Sequence, residues 1–288
     1  MSILNHSIEP AKLFISDKSA LEELDIIFSS VHLSCTNVSG FLCDMSTVKP
    51  AQVKRIDKLV RDYAKKDTGF SFAFLPEQMI VEAVFFDMDA TVVEEETIVE
   101  LAKFAGKSAQ VFEITEKAMC GEIDFEQALV DRVAVLKGLS SDVFDDVYAV
   151  FTLQPNIKKL VSSFKKDGIS SFLVSGGFTQ LAERIADRVG IVDARANTLA
   201  VKNDILSGQI TGPLIGGKQK EEYLREICKK KNLKASRVIA IGDGANDLDM
   251  MKAAMLSVGF CPKPILIDHV DVLNRYKDHM FVIDLLNL

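Results

Sequence analysis

From Ile80 to Phe86 every residue is apolar except Glu82, and the run ends on the polar string Asp87-Met88-Asp89-Ala90-Thr91. A short apolar run closed by polar residues predicts a strand buried on both faces, as in a parallel sheet. The pattern recurs twice. Ser171 to Val174 leads into Ser175-Gly176-Gly177, and Arg237 to Gly242 leads into Asp243-Gly244-Ala245-Asn246-Asp247. If these three strands are neighbours, their polar tips meet in one crevice outside the carboxyl ends of the sheet, where doubly wound folds bind ligands.

Between the first and second of these strands the period changes. From Thr91 to about Phe164 the apolar spacing is helical, which predicts an inserted helical cap over about residues 93–165. Beyond Gly168, strands at Ala194 to Val201, Arg237 to Ile241, Leu256 to Phe260 and Met280 to Ile283 alternate with helical stretches such as Gly217 to Lys230. This alternation predicts an α/β fold with a doubly wound, mostly parallel sheet and helices on both faces. Ahead of it, short apolar runs at Lys12 to Ile15, Gly40 to Leu42 and Phe70 to Phe74 flank a helix from about Pro50 to Lys66, with Val53, Ile56, Leu59, Val60 and Tyr63 on one face. Residues 1–78 therefore read as a small N-terminal α/β accessory domain, with a folding, dimerising or regulatory role, and 79–288 as the catalytic domain.

Composition narrows the function. With 288 residues, 48% of them hydrophobic, the chain can bury one large domain and a smaller one. A net charge of -7 without a dense basic stripe argues against nucleic acid as a partner; Lys229-Lys230-Lys231 suits the negative end of a helix. Cys35, Cys43, Cys120, Cys228 and Cys261 form no C-x-x-C pair, so neither a disulfide framework nor a zinc site is expected. No run reaches the roughly 18 apolar residues of a membrane span, and the amino terminus lacks a signal-peptide pattern. The expectation is a soluble cytoplasmic protein acting on a small molecule, a homodimer if the leading unit serves that purpose.

The strand tips carry the chemistry. Two aspartates one residue apart on extended chain point to opposite sides, so Asp87 and Asp89 can hold different tasks. Asp87, Asp89 and Asp243 offer hard oxygens in a number that suits Mg²⁺ sharing its remaining positions with water and a phosphoryl oxygen. Ser175-Gly176-Gly177 presents a hydroxyl and backbone N–H groups to an anion. Near the start of the predicted helix after Gly216 a cation opposes the dipole, and spacing alone leaves Lys218 and Lys220 as alternatives. Asp124 and Gln127 form a capping box, and the helix after it aligns Phe125, Leu129, Val133 and Leu136. Arg132 falls on that apolar stripe, where a guanidinium needs an anion. Glu94, Glu95 and Glu96 read as first-turn acids of a helix. Gly242-x-Gly244 lacks the third glycine of a dinucleotide site, and His6, His32, His269 and His279 receive no role.

Asp87-x-Asp89-x-Thr91, Ser175-Gly176-Gly177, Lys220 and Gly242-Asp243-Gly244-x-Asn246-Asp247 resemble, in order, the four motifs of the haloacid dehalogenase superfamily. Within it the chain from about residue 80 onward is similar to the phosphoserine phosphatases, through Glu94-Glu95-Glu96-Thr97-Ile98, Ala118-Met119-x-Gly121, Asp124-Phe125-Glu126, Arg132-Val133 and Cys261-x-Lys263-Pro264. The resemblance implies a Mg²⁺-dependent phosphomonoesterase that releases L-serine from phosphoserine in serine biosynthesis. Asp87 would be the nucleophile and Asp89 the acid and base; Ser175, Gly176 and Lys220 would hold the phosphoryl group. Asp87, Asp89 through its carbonyl, and Asp243 would bind the metal, with Asn246 and Asp247 supporting the site. Glu96 would take the substrate ammonium and Arg132 its carboxylate, with Met119 and Phe125 closing over them. Ala90 stands where relatives usually have Ser, Val99 where many are acidic, and the stretch from Gly212 to Lys220 is shorter. These departures leave phosphothreonine and phosphohomoserine as alternative substrates, and a non-catalytic amino-acid-binding regulator as the reading from another class.

Overall fold

The structure, a computed structural model, describes residues 10–17, 35–37, 40–46, 48–119 and 122–286. β1 (Lys12–Ile15), β2 (Cys35–Asn37), β3 (Phe41–Asp44), α1 (Pro50–Lys66) and β4 (Phe72–Leu75) come first. β5 (Ala83–Phe86) is followed by the helices α2 (Thr97–Phe104), α3 (Ser108–Met119), α4 (Phe125–Val135), α5 (Val143–Val150) and α6 (Ile157–Lys166). Then come β6 (Ser170–Phe178), α7 (Thr179–Val189), β7 (Asp193–Lys202), β8 (Ile205–Thr211), α8 (Gly217–Lys231), β9 (Val238–Gly242), α9 (Leu248–Ala253), β10 (Leu256–Phe260), β11 (Val272–Asn274) and α10 (Met280–Leu286).

The described strands form one sheet in the order β2-β3-β1-β4-β11-β10-β9-β5-β6-β7-β8. Its centre, from β11 across to β7, is parallel. β5 lies between β6 and β9, so the chain order reverses at its carboxyl end and opens the crevice there. Alternation along β5 serves two cores. Val84 and Phe86 join the apolar layer under α2 to α7, whereas Ala83 and Phe85 join the layer under α1, α8 and α9. The cap is anchored at its base by the bridge between Val93 and Leu153 and by Glu95, whose carboxylate accepts from the Thr152 N–H at 2.9 Å.

The leading strands extend the same sheet. β4 pairs antiparallel with β11 and covers what would otherwise be an open edge of the parallel sheet. Arg61 of α1, fully buried with Asp57 at 2.7 Å, donates to the Ile267 carbonyl at 2.5 Å and the Val270 carbonyl at 3.0 Å. This guanidinium ties α1 to the segment between β10 and β11.

Several expectations are corrected. Met280 to Ile283, expected as a strand, begins α10, because the Asp278 carboxylate accepts from the Met280 N–H and starts a helix. The last strand is instead the short β11, whose three residues are all buried. Glu94 and Glu95 precede α2 and bind Lys277 and Thr152, and Glu96 is its N-cap residue, so none of the three is a first-turn acid of that helix. Asp124 does cap α4, but Gln127 turns its side chain to Asp131 at 2.7 Å, so the reciprocal half of the capping box is missing. Cys43 is disulfide-bonded, against the expectation of no disulfide; the backbone register of β2 and β3 sets Cys35 opposite it. No helix among the described residues is long and apolar enough to cross a membrane.

His279, unassigned from sequence, is fully buried between Phe86 and Phe260 and shares a hydrogen bond with the Thr91 carbonyl at 2.9 Å. Burial holds its imidazole at about 4, below the ordinary 6.5. The unfolded chain therefore binds the extra proton, and stability from this residue is complete above pH 6.5 and lost as the pH falls towards 4. The expected loss over that window is about 3 kcal/mol. Urea unfolding at a series of pH values should show a flatter profile for His279→Gln; parallel profiles would reject the assignment.

Candidate active site

Three carboxylates converge at the crevice. Asp87 at the end of β5, Asp243 at the end of β9 and Asp247 after it place oxygens within 4.8 Å of one another, and all three are buried. Lys220 of α8 reaches them from below, fully buried, with its Nζ 2.7 Å from Asp87 Oδ1 and 2.7 Å from Asp247 Oδ1. Lys218 is exposed, so the geometry separates two lysines that spacing left equal. Burial disfavours the Lys220 ammonium, but Asp247 and Asp87 outweigh it and hold the group protonated. Asp247 also accepts the N–H groups of Asp243 at 3.1 Å and Gly244 at 3.0 Å through its other oxygen. It thus shapes the turn that presents Asp243, and the β-carbon of any residue replacing Gly242 would collide with its carboxyl group.

Burial, then the Asp247 charge, pushes the Asp87 carboxyl well above the usual range despite Lys220. Asp243 is pushed up to about 6, chiefly by burial and against the pull of Lys263. Asp89 faces the other way. Its carboxylate accepts the Thr97 hydroxyl at the start of α2, and burial followed by the Glu96 charge raises it to about 7. A carboxyl near 7 can give and take a proton at neutral pH. A crowd of acids with one buried cation among them is costly unless a further positive charge enters, because unit charges 4 Å apart repel by about 4 kcal/mol at an effective dielectric near 20.

A cavity of about 280 Å³ opens over these groups, lined by Asp87, Asp89, Asp243, Asn246, Gly176, Gly177, Glu96, Arg132 and Lys263, with Ile98, Val99, Thr115, Leu129 and Phe178 as further wall. Gly176 and Gly177 come from a bulged stretch of β6, where pairing with β7 shifts register after Val174. The Ser175 hydroxyl is fully buried and accepts the Gly177 N–H at 2.8 Å, while Asn197 holds the Gly176 carbonyl at 2.9 Å. Arg132 of α4 is half-buried, anchored by its Nε to the Ala128 carbonyl at 3.1 Å, with burial lowering its pKa against the charges of Glu96 and Asp89. The side chains of Met119 and Phe125 lie outside the described residues.

The family described as haloacid dehalogenase-like hydrolase matches residues 84–252, more than half of the chain and both the first and last of the clustered aspartates. The chain belongs to that family. Among its relatives, the phosphoserine phosphatase of Streptococcus thermophilus is 43% identical over 180 residues, covering 62% of this chain and 84% of that protein. The phosphoserine phosphatase of Archaeoglobus fulgidus is 41% identical over 188 residues, 65% of this chain and 55% of that protein, so the chain spans about half the length of that relative. The solved structure of a haloacid dehalogenase family hydrolase from Salmonella enterica shares the fold over 95% of this chain and 97% of its own, with TM-score 0.82 at 24% identity.

In this haloacid dehalogenase-like hydrolase, two residues around the site escaped sequence reasoning. Gln154, buried at the cap base, donates to the carbonyls of Ala90 at 3.2 Å and Val93 at 3.4 Å, and His279 holds that of Thr91. Together they brace the loop after Asp89, in which Ala90 adopts a φ of 55°. Both are distant in sequence from the loop, so no local motif announces them. Lys263 was visible in Cys261-x-Lys263-Pro264 but only as part of a likeness; its charge on Asp243 appears in the fold alone.

Proposed function

We propose that the chain hydrolyses O-phospho-L-serine to L-serine and phosphate through an aspartyl-phosphate on Asp87. The observation that supports this reading is that one anion and one cation, Glu96 and Arg132, line the same cavity as Asp87; they are the charges that would take the ammonium and carboxylate of an amino acid whose phosphoryl group meets Asp87. An Asp87 oxygen attacks phosphorus, the bond to the serine oxygen breaks, and Asp89 gives that oxygen its proton. A water then attacks the phosphorus, Asp89 takes the water's proton, and the bond to Asp87 breaks. Ser175, the Gly176 N–H and Lys220 would hold phosphoryl oxygens, with the Ser175 hydroxyl also fixing the Gly177 N–H and Asn246 at the rim.

Asp87 and Asp243, whose carboxylate oxygens cluster with those of Asp247, fit a hard divalent cation, since buried clustered carboxylates with raised pKa values call for positive charge; the Asp89 carbonyl would complete the set and Asp247 would support it. Mg²⁺ bound there would offset the repulsion between the nucleophile and a phosphate dianion. In this reading residues 79–288 are the catalytic domain and 1–78 an accessory one. The enzyme would work in the cytoplasm on a small phosphomonoester. Steady-state rates on phosphoserine, phosphothreonine, phosphohomoserine and sugar phosphates, with Mg²⁺ and after chelation, test it. Phosphoserine should be preferred by at least about tenfold in kcat/KM, and chelation should abolish turnover; equal rates across the panel would defeat the substrate assignment.

A further inference from the structure

Lys263 enters the cavity from the loop after β10. Its backbone N–H donates to the Asp243 carbonyl at 2.8 Å, which starts the side chain beside the clustered acids. The ammonium then stands 3.3 Å from Asp243 Oδ2 and 3.8 Å from Glu96 Oε1. Asp87 and Asp247 already share Lys220, so Lys263 is the cation that serves Asp243. The two lysines differ in freedom. Lys220 is sealed in, whereas the Lys263 side chain is 59% exposed and can swing to solvent.

We infer that Lys263 is an internal counter-ion that competes with the divalent cation for Asp243 and thereby sets the protein's metal affinity. The inference rests on the metal reading above. Two cations on one carboxylate repel, and whereas Lys220 is sealed against Asp87, the exposed Lys263 is free to yield; metal entry at Asp243 then displaces this ammonium, and the lost ion pair is subtracted from the metal's binding. Glu96, 3.8 Å from the Lys263 ammonium, offers it a second partner once it is displaced and until a substrate arrives.

Calorimetric titration of Mg²⁺ into the full chain and into Lys263→Met, without substrate, tests this directly. The variant keeps the four-atom apolar stem and removes only the ammonium at an exposed position, and circular dichroism checks its fold. Removal of the competitor should tighten Mg²⁺ binding by about fivefold, in keeping with the modest strength of a partly exposed ion pair. Lys263→Arg should bind as the unaltered chain does. Equal or weaker binding in Lys263→Met overturns the inference. Absence of Mg²⁺ binding in the unaltered chain would remove the metal reading, and the inference with it.

Discussion

Replacing Asp87 with Asn is expected to lower phosphate release by about four orders of magnitude or more, because the amide cannot form the covalent intermediate. The substitution is nearly isosteric at a buried position, so packing is conserved. The same change should also raise the melting temperature. Burial and the neighbouring Asp247 charge hold the Asp87 carboxyl above its ordinary pKa, so the folded state at neutral pH carries a charge that the unfolded chain holds at less cost. Stability and catalysis then move in opposite directions, as expected where a site is strained for function. Phosphate release, acid-trapped phosphoenzyme and thermal melting are the measurements. Undiminished turnover in Asp87→Asn would eliminate its nucleophilic role.

Arg132→Ala is expected to reduce kcat/KM for phosphoserine by about a hundredfold while changing the rate on an aryl phosphate by no more than about threefold. A charge-assisted pair with a carboxylate in a half-buried site is worth roughly 1.5–3 kcal/mol, which corresponds to that range. An aryl phosphate has no carboxylate to lose. The arginine is anchored through Nε to its own helix, so truncation removes the binding head without undoing the fold. Equal losses on both substrates would show that Arg132 acts on the phosphoryl group or on cap packing and not on the amino acid.

Local sequence was enough where burial on both faces left one solution. The apolar runs before Asp87, Ser175 and Asp243, each closed by a polar turn, read as interior parallel strands, and they are β5, β6 and β9. The helix expected from its apolar face over about Pro50 to Lys66 is α1. Met280 to Ile283 shows where this fails: a short apolar run fits a strand or a helix, and the Asp278 cap decides. The capping acid at 124 was legible for the same local reason, whereas the destination of Gln127 was not.

At the site, residue types and strand ends determined which chemistry was available: carboxylates, a lysine, a glycine-rich turn and an arginine on an apolar stripe. Tertiary structure decided what each group faces. It buried Lys220 between Asp87 and Asp247 and left Lys218 in solvent, set Lys263 against Asp243, and braced Thr91 with a histidine from the far end of the chain. The reason is physical. A strand or a helix is specified by neighbours a few residues away, whereas a charge in a protein takes its pKa and its partner from whatever the fold brings within a few ångströms, and that is set by the packing of the whole sheet.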